Sequence, residues 1–401
     1  MPDVSPSSSP PSSRKAHSLV VIPILNEDLE VVVSNLKAAA AHPSVGLVLA
    51  VTGDHEGTND AIAAVVTDIG SDVRVLPQRR LGILRPGKGD AINTGFQVFL
   101  DDGEFDRIHF YDADIKTFDG DWITKAETAL DFGYQAVRHF YPRAATDAMI
   151  TWMVTRLGFA ALWPQSQLPT IEQPLSGELA FTREAAAIIA ADSRVKSQSD
   201  WGVDTAITFA TIAHGLSIYE SYIARGKDHA LYSSLTDIKV MMVECLGALQ
   251  RLRSTSGPAL PHVERMSEPP DSVPPQIAQQ IGFDIEATQR LLAEQWTPRQ
   301  VALLTAHFPE HIATKAHLWR DWPDTSWLDE ETWLMTLTIL LDRFSPDDED
   351  WIDLAFRLWV GRVLHYALRF AVRGHAFADA YLHQMVERAI REFTADRLKS
   401  I

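Results

Sequence analysis

The chain is poor in cysteine and in positive charge, and each shortage excludes a class of protein. A single cysteine in 401 residues, Cys245, excludes an internal disulfide and fits a reducing, cytoplasmic setting. Cys245 lies in a helical pattern over residues 237–252, where a buried inert thiol is expected. Lysine and arginine number 36 against 53 aspartates and glutamates, a formal charge of −17. That balance argues against general binding to nucleic acid or to an anionic membrane, so any anion must be met by a local basic site. Long apolar runs are missing too. The most apolar helical stretch, residues 354–372, carries Arg357, Arg362, His365 and Arg369, and no stretch reaches the eighteen apolar residues of a membrane span. The first sixteen residues contain PSSSPPSS, too polar for a signal peptide core; they read as a disordered tail. Neither G-x-x-x-x-G-K-[ST] nor G-x-G-x-x-G occurs, which removes the two commonest phosphate-binding fingerprints.

What is present is a large apolar fraction, 46%, enough for two or three domains. Residues 17–23 (HSLVVIP), 46–51 (GLVLAV) and 73–76 read as strands, with helical patterns over 27–41 and 61–69 between them. Strands separated by helices predict an α/β fold with a parallel-rich central sheet. Residues 107–114, RIHFYDAD, read as a further strand ending in Asp112 and Asp114. In an extended backbone alternate side chains share a face, so the two carboxylates aim at one point past the strand's carboxyl end. Open α/β sheets bind ligands there, and a carboxylate pair suits Mg²⁺ or Mn²⁺. Just upstream, residues 78–90 read QRRLGILRPGKGD. Gly87 and Gly89 would let backbone approach a phosphate, Lys88 adds charge, and a helix from Ala91 would offer its N–H groups. A nucleotide diphosphate is the expected ligand. Arg143, in RAATDAMIT, precedes a helix expected to begin at Thr146 or Asp147, a pairing of guanidinium fork and N–H groups suited to a carboxylate.

The order of N-terminal βαβ unit, GKGDAINTGF helix and strand-borne DAD resembles GT-A glycosyltransferases. The blocks RLGILRPGKGD, RIHFYDAD, DWITKAE, RHFYPRAATDAMITWM, GFAALWP, IEQPLSGEL, SDWGVDT and GKDHALY narrow the resemblance to the mannosylglycerate synthases. These are retaining transferases that move mannose from GDP-mannose to D-glycerate. The likeness runs from about residue 18 to 245 and continues more loosely beyond. It implies a GT-A type nucleotide-sugar-binding fold and a divalent metal held by Asp112, Asp114 and His229. It implies donor contacts from Pro23, Glu27, Gln78, Lys88, Asp112, Ala113, Trp201, Asp204 and Tyr232, with Asp204 accepting hydrogen bonds from the sugar. The Leu175 carbonyl falls beside the anomeric carbon, so that Asp204, Lys88 and Leu175 carry the chemistry. Arg143, Asp147, Ala148 and Thr151 hold the glycerate, with D-lactate as a weaker acceptor. The sequence departs from the compared member at Leu25, which replaces lysine, and at Ala230, which replaces arginine; two cations near the nucleotide are missing.

The expected organisation is a catalytic domain over residues 17–253, its nucleotide half ending near 115, then a proline-rich linker over 254–275 and an all-α domain over 276–401. Thr297, Pro298 and Gln300 form a capping box in the pattern, and SPDD at 345–348 repeats the logic. Trp319, Trp322, Trp327, Trp333, Trp351 and Trp359 lie on helical apolar faces, as core or as a homo-oligomer interface. This part is read as scaffold. Two other readings stay open: a related retaining transferase such as a glucosyl-3-phosphoglycerate synthase, and a non-catalytic sugar-nucleotide sensor. Front-face attack and double displacement are equally compatible with the residues.

Overall fold

The computed structural model describes residues 16–53, 58–67, 69–70, 72–229, 234–255, 263–265, 281–321 and 323–399. Most of the expected tail and linker, together with Trp322, Ala230 and Tyr232, lie outside the described residues. Three residues of the supposed linker, Val263–Arg265, form a strand.

Eight strands make one sheet: β1 Ser18–Ile24, β2 Val45–Thr52, β3 Val73–Pro77, β4 Arg107–Phe110, β5 Ala136–Phe140, β6 Leu179–Thr182, β7 Ile218–Tyr222 and β8 Val263–Arg265. Their order is β3-β2-β1-β4-β6-β5-β7-β8. β6 pairs antiparallel with β4 and β5 while every other pairing is parallel, so β6 alone runs against the rest. The apolar run of β1 follows from burial on both sheet faces. Leu19 and Val21 pack into one core, Val20, Ile22 and Ile24 into the other.

The carboxyl ends of β1, β3, β4, β5 and β7 therefore share one edge of the sheet. Reversed β6 presents its amino end at that edge, bringing residues 174–178 to it. Strand β4 stops at Phe110, earlier than the sequence suggests, because the chain turns at Ala113 and Asp114. The carboxylate pair sits in this turn instead of alternating along a strand.

Beyond residue 281 the described chain is helical apart from its connections. The capping box at Thr297 and Gln300 is formed, with Pro298 in the first turn. At 345–348 the cap is Asp348, which accepts from the N–H groups of Asp350 and Trp351, because the chain turns after Pro346 and delays the helix. Trp319, Trp333 and Trp359 are each at most 1% exposed, and Trp327 and Trp351 are also buried. These five described tryptophans fill core. No helix among the described residues is long and apolar enough to cross a membrane.

Candidate active site

Lys88 enters the site because its helix, Lys88–Asp102, starts three residues before the expected position. Gly89 is needed for packing: a Cβ there would collide with the Gln198 carbonyl. Asp90 donates its N–H to the Ser199 carbonyl, 3.2 Å, and its carboxylate accepts the N–H groups of Leu81 and Gly82 at 2.9 and 2.8 Å. The Asp90 N–H thus faces protein backbone, and the segment brings the Lys88 ammonium into the site.

The Lys88 ammonium lies 2.8 Å from Asp112 Oδ1 and 3.1 Å from Asp204 Oδ2. Burial alone would lower its pKa, but these carboxylates hold it well above the ordinary lysine range. Lys227, which sequence reasoning missed, lies 2.7 Å from Asp112 Oδ2, 2.9 Å from Glu178 Oε1 and 3.8 Å from Asp114 Oδ1. Glu178, also missed, is fully buried at the amino end of β6. It accepts a hydrogen bond from Tyr141, 2.7 Å, and one from Ser176, 2.5 Å. Burial favours protonation of Asp112, yet Lys227 and Lys88 hold it well below the carboxylate range.

On the acceptor side, Arg143 Nη1 pairs with Asp147 Oδ2 at 2.9 Å and Nη2 donates to the Tyr141 hydroxyl at 3.1 Å. Its buried Nε has no partner. Asp147 Oδ1 accepts the Ala148 N–H at 2.7 Å, so the backbone group expected to meet glycerate is already engaged. The expected helix start at Thr146 or Asp147 is overturned: Ala148 takes a left-handed φ of 57° and the helical path begins at Met149. Thr151 opens a π-helical stretch, Thr151–Arg156.

His229 Nε2 lies 3.1 Å from Asp147 Oδ2 and its Nδ1 lies 3.8 Å from Asp114 Oδ2. Lys88, Asp112, Lys227, Glu178, Tyr141, Arg143, Asp147, His229 and Asp114 therefore form one connected polar chain, returning on itself where Asp114 meets Lys227. Asp114 and His229 offer an oxygen and a nitrogen to a common point, with the far imidazole nitrogen steadied by a carboxylate, a donor set that fits Mg²⁺ or Mn²⁺. Asp112 does not complete a triad as placed, because both its oxygens hold lysines. No three His, Cys, Asp or Glu side chains among the described residues converge as a metal site.

Asp204 is 2% exposed, and its Oδ1 is without a hydrogen-bond partner. Burial pushes it up to about 6, opposed by Lys88 and reinforced by Asp112. It lies in the first turn of Val203–Ala213, which Gly202 begins without a side-chain cap. Just before it, Asp200 accepts the Gly202 N–H at 2.9 Å. Trp201 stands with its ring centroid 5.5 Å from the Lys88 ammonium. Leu175 belongs to a loop pinned by Arg138, which donates to the carbonyls of Gln173, Pro174 and Ser176 at 3.0–3.3 Å. A Cβ at Gly177 would collide with Asp112 and Lys88, which shows how closely this loop approaches them. Glu27 lies near enough to Asp112 and Asp114 for their charges to add to the burial that raises its pKa. Pro23 on β1 pairs with Val51 of β2, Gln78 follows β3 and donates its N–H to the Thr52 carbonyl at 2.9 Å, and the Ala113 carbonyl accepts from Asn35 at 3.0 Å. Leu25 is exposed.

A family model of the mannosylglycerate synthase GT domain matches residues 18–251, and one of the C-terminal domain of that enzyme matches residues 277–386. Mannosylglycerate synthase of Rhodothermus marinus is 48% identical over 377 residues, covering 92% of this chain and 94% of that protein. The enzyme of Selaginella moellendorffii is 45% identical over 374 residues, covering 92% of this chain and 88% of that one. Among solved structures, glucosyl-3-phosphoglycerate synthase from Mycobacterium tuberculosis in complex with phosphoglyceric acid gives a TM-score of 0.49 at 21% identity, covering 64% of this chain and 90% of that one. From the two family models, which match most of the chain, and from relatives nearly half identical along it, the chain belongs to the mannosylglycerate synthase family of glycosyltransferases.

Proposed function

We propose that this protein transfers mannose from GDP-mannose to the 2-hydroxyl of D-glycerate, retaining the α configuration, with D-lactate a poorer acceptor. The observation that carries the reading is the polar chain joining Lys88 and Asp112 to Arg143 and Asp147 at one sheet edge. It sets a phosphate-directed cation and a carboxylate-directed guanidinium in a single site, as a transfer between a nucleotide sugar and a hydroxy acid requires. Six carboxylates there (Glu27, Asp112, Asp114, Asp147, Glu178 and Asp204) outnumber four permanent cations (Lys88, Lys227, Arg138 and Arg143), and an incoming diphosphate deepens the excess. Mg²⁺ or Mn²⁺ is therefore part of the reading, with Asp114 and His229 to hold it and Asp112 linking it to the lysines. When bound, such an ion supplies Lewis-acid stabilisation of the departing diphosphate.

The side chains divide the remaining work. Lys88 offsets negative charge developing on the leaving phosphate. The unpartnered Asp204 oxygen accepts from mannose hydroxyls and orients the sugar, with Trp201 beside it. The Leu175 carbonyl, in the loop whose neighbouring carbonyls Arg138 holds, turns a partial negative charge toward the cationic anomeric carbon. Arg143 and Thr151 hold the glycerate while its 2-hydroxyl attacks on the face that GDP leaves. The new C1–O bond forms as the C1–phosphate bond breaks, and the hydroxyl proton passes to the departing phosphate. Pro23, Glu27, Gln78, Ala113 and Tyr232 complete the nucleotide contacts in this reading, and a cytoplasmic location goes with it.

The test is a donor-by-acceptor panel with purified protein, the product linkage assigned by NMR. An α-linked 2-O-mannosyl glycerate formed from GDP-mannose is the expected result. A preference for UDP-glucose, or for a phosphorylated acceptor, would overturn the assignment.

A further inference from the structure

The 143–156 segment takes hydrogen bonds from the far end of the chain. Residues 143–148 form neither helix nor strand, Ala148 is the one non-glycine residue described with a left-handed φ, and Thr151–Arg156 is π-helical. Buried backbone groups in such a path must find partners elsewhere, and π turns are concentrated at functional sites. His375 Nε2 donates to the Arg143 carbonyl at 2.6 Å, Tyr366 Oη to the Ala145 carbonyl at 2.6 Å, and Trp333 Nε1 to the Met153 carbonyl at 2.9 Å. The Gly282 N–H adds a bond to Thr146 Oγ1 at 2.8 Å. Every one of these donors lies in the helical C-terminal part. The donor tips are held firmly: Tyr366 is fully buried and stacks on Phe370 and Tyr381, and Trp333 is 1% exposed.

We infer that Tyr366, His375 and Trp333 are positioning residues for the acceptor, and that the helical part forms a wall of the acceptor site instead of serving as plain scaffold. By fixing the Arg143 and Ala145 carbonyls, His375 and Tyr366 set where the Arg143 guanidinium points, while Trp333 holds the Met153 carbonyl further along the same segment, and together they tune affinity for a small hydroxy acid. This inference rests on the acceptor reading above. None of the four bonds touches the segments carrying Lys88, Asp112 or Asp204, so donor binding is spared.

Tyr366→Phe keeps the ring and deletes one donor, leaving a buried carbonyl unpaired; His375→Ala deletes another, and His375→Gln restores an N–H near the same place. Saturation curves for GDP-mannose and for D-glycerate, with melting curves, are measured for each. The acceptor KM should rise about tenfold in Tyr366→Phe and His375→Ala, in keeping with an unmade buried hydrogen bond, while the donor KM stays within about twofold, and His375→Gln should recover part of the loss. A lowered melting temperature with an unchanged acceptor KM, or a rise of both KM values together, would show a structural staple and overturn the inference. Should Tyr366→Phe not fold, the half-buried His375 pair decides alone. Arg143→Lys, run alongside, separates the two readings. If it leaves the acceptor KM unchanged the acceptor assignment itself fails; if it raises that KM while the other variants do not, only the positioning role fails.

Discussion

Strand β4 carries a buried charged network at each end, and the two are built differently. At its amino end, Glu127 gathers His17, Ser18, Arg107 and His109: Oε1 accepts from Ser18 and from His109, 2.9 Å, while Oε2 meets His17, 3.0 Å, and Arg107. Both oxygens are saturated, and although burial opposes ionisation, the His109, Ser18 and Arg107 contacts hold the carboxyl far below its ordinary range. At the carboxyl end, Asp204 Oδ1 and Arg143 Nε are buried without partners, and Asp114 is 39% exposed. A saturated network has nothing left to offer a ligand and can only hold the fold. An unsaturated one costs stability, and the cost makes sense where a substrate supplies the missing partner.

The largest effect that would break this contrast is at Glu127. Glu127→Gln should remove about 3–5 kcal/mol of unfolding free energy, as expected when one member of a buried ion pair is lost, while turnover per folded molecule stays within about twofold. A stable but inactive variant would place chemistry at the wrong end of the strand. Asp114→Ala should do the reverse, cutting turnover about 10²–10³-fold, or about 3–4 kcal/mol, with the melting temperature unmoved; full activity of the wild type in excess chelator would remove the metal from the mechanism. Asp204 and Glu127 also predict opposite responses to acid. Glu127, with a lowered pKa, adds stability that is present above about pH 4.5 and is lost as pH falls. Asp204, raised to about 6, binds its proton more tightly when folded, so stability declines as pH rises from about 4 to 6. Asp204→Asn should abolish that decline and gain up to about 3 kcal/mol at neutral pH, while the donor KM worsens; denaturant titrations at pH 4, 5, 6 and 7 read it directly. Smallest is Thr151→Ala, where loss of one hydroxyl contact, about 0.5–1.5 kcal/mol, should raise the acceptor KM by a few-fold and leave the donor curve in place.

The β-branched runs, the carboxylate pair after 107–110 and the capped C-terminal helices are legible in the sequence because each depends on neighbours a few residues apart. Lys227 and Glu178 were not. Lys227 meets Asp112 across 115 positions and Glu178 across 49, and only the reversal of β6 brings the last two together. A lysine beside His229 in a chain short of cations was the one available signal. The packing role of Gly89 is hidden for a related reason, since its neighbour, the Gln198 carbonyl, is distant in sequence. The left-handed Ala148 defeated the helix boundary because alanine ordinarily favours the right-handed region.

Ala145 and Tyr366 are joined by a hydrogen bond although 221 positions separate them. At about 5–20 residues added per second, a ribosome needs roughly 10–45 s to travel from one to the other. Throughout that interval the sheet can assemble while the Arg143 and Ala145 carbonyls await their donors. On the proposed acceptor reading, the newborn chain passes through a period in which its sheet is made while the 143–148 loop still lacks these partners, and activity is expected only once the last helices have docked.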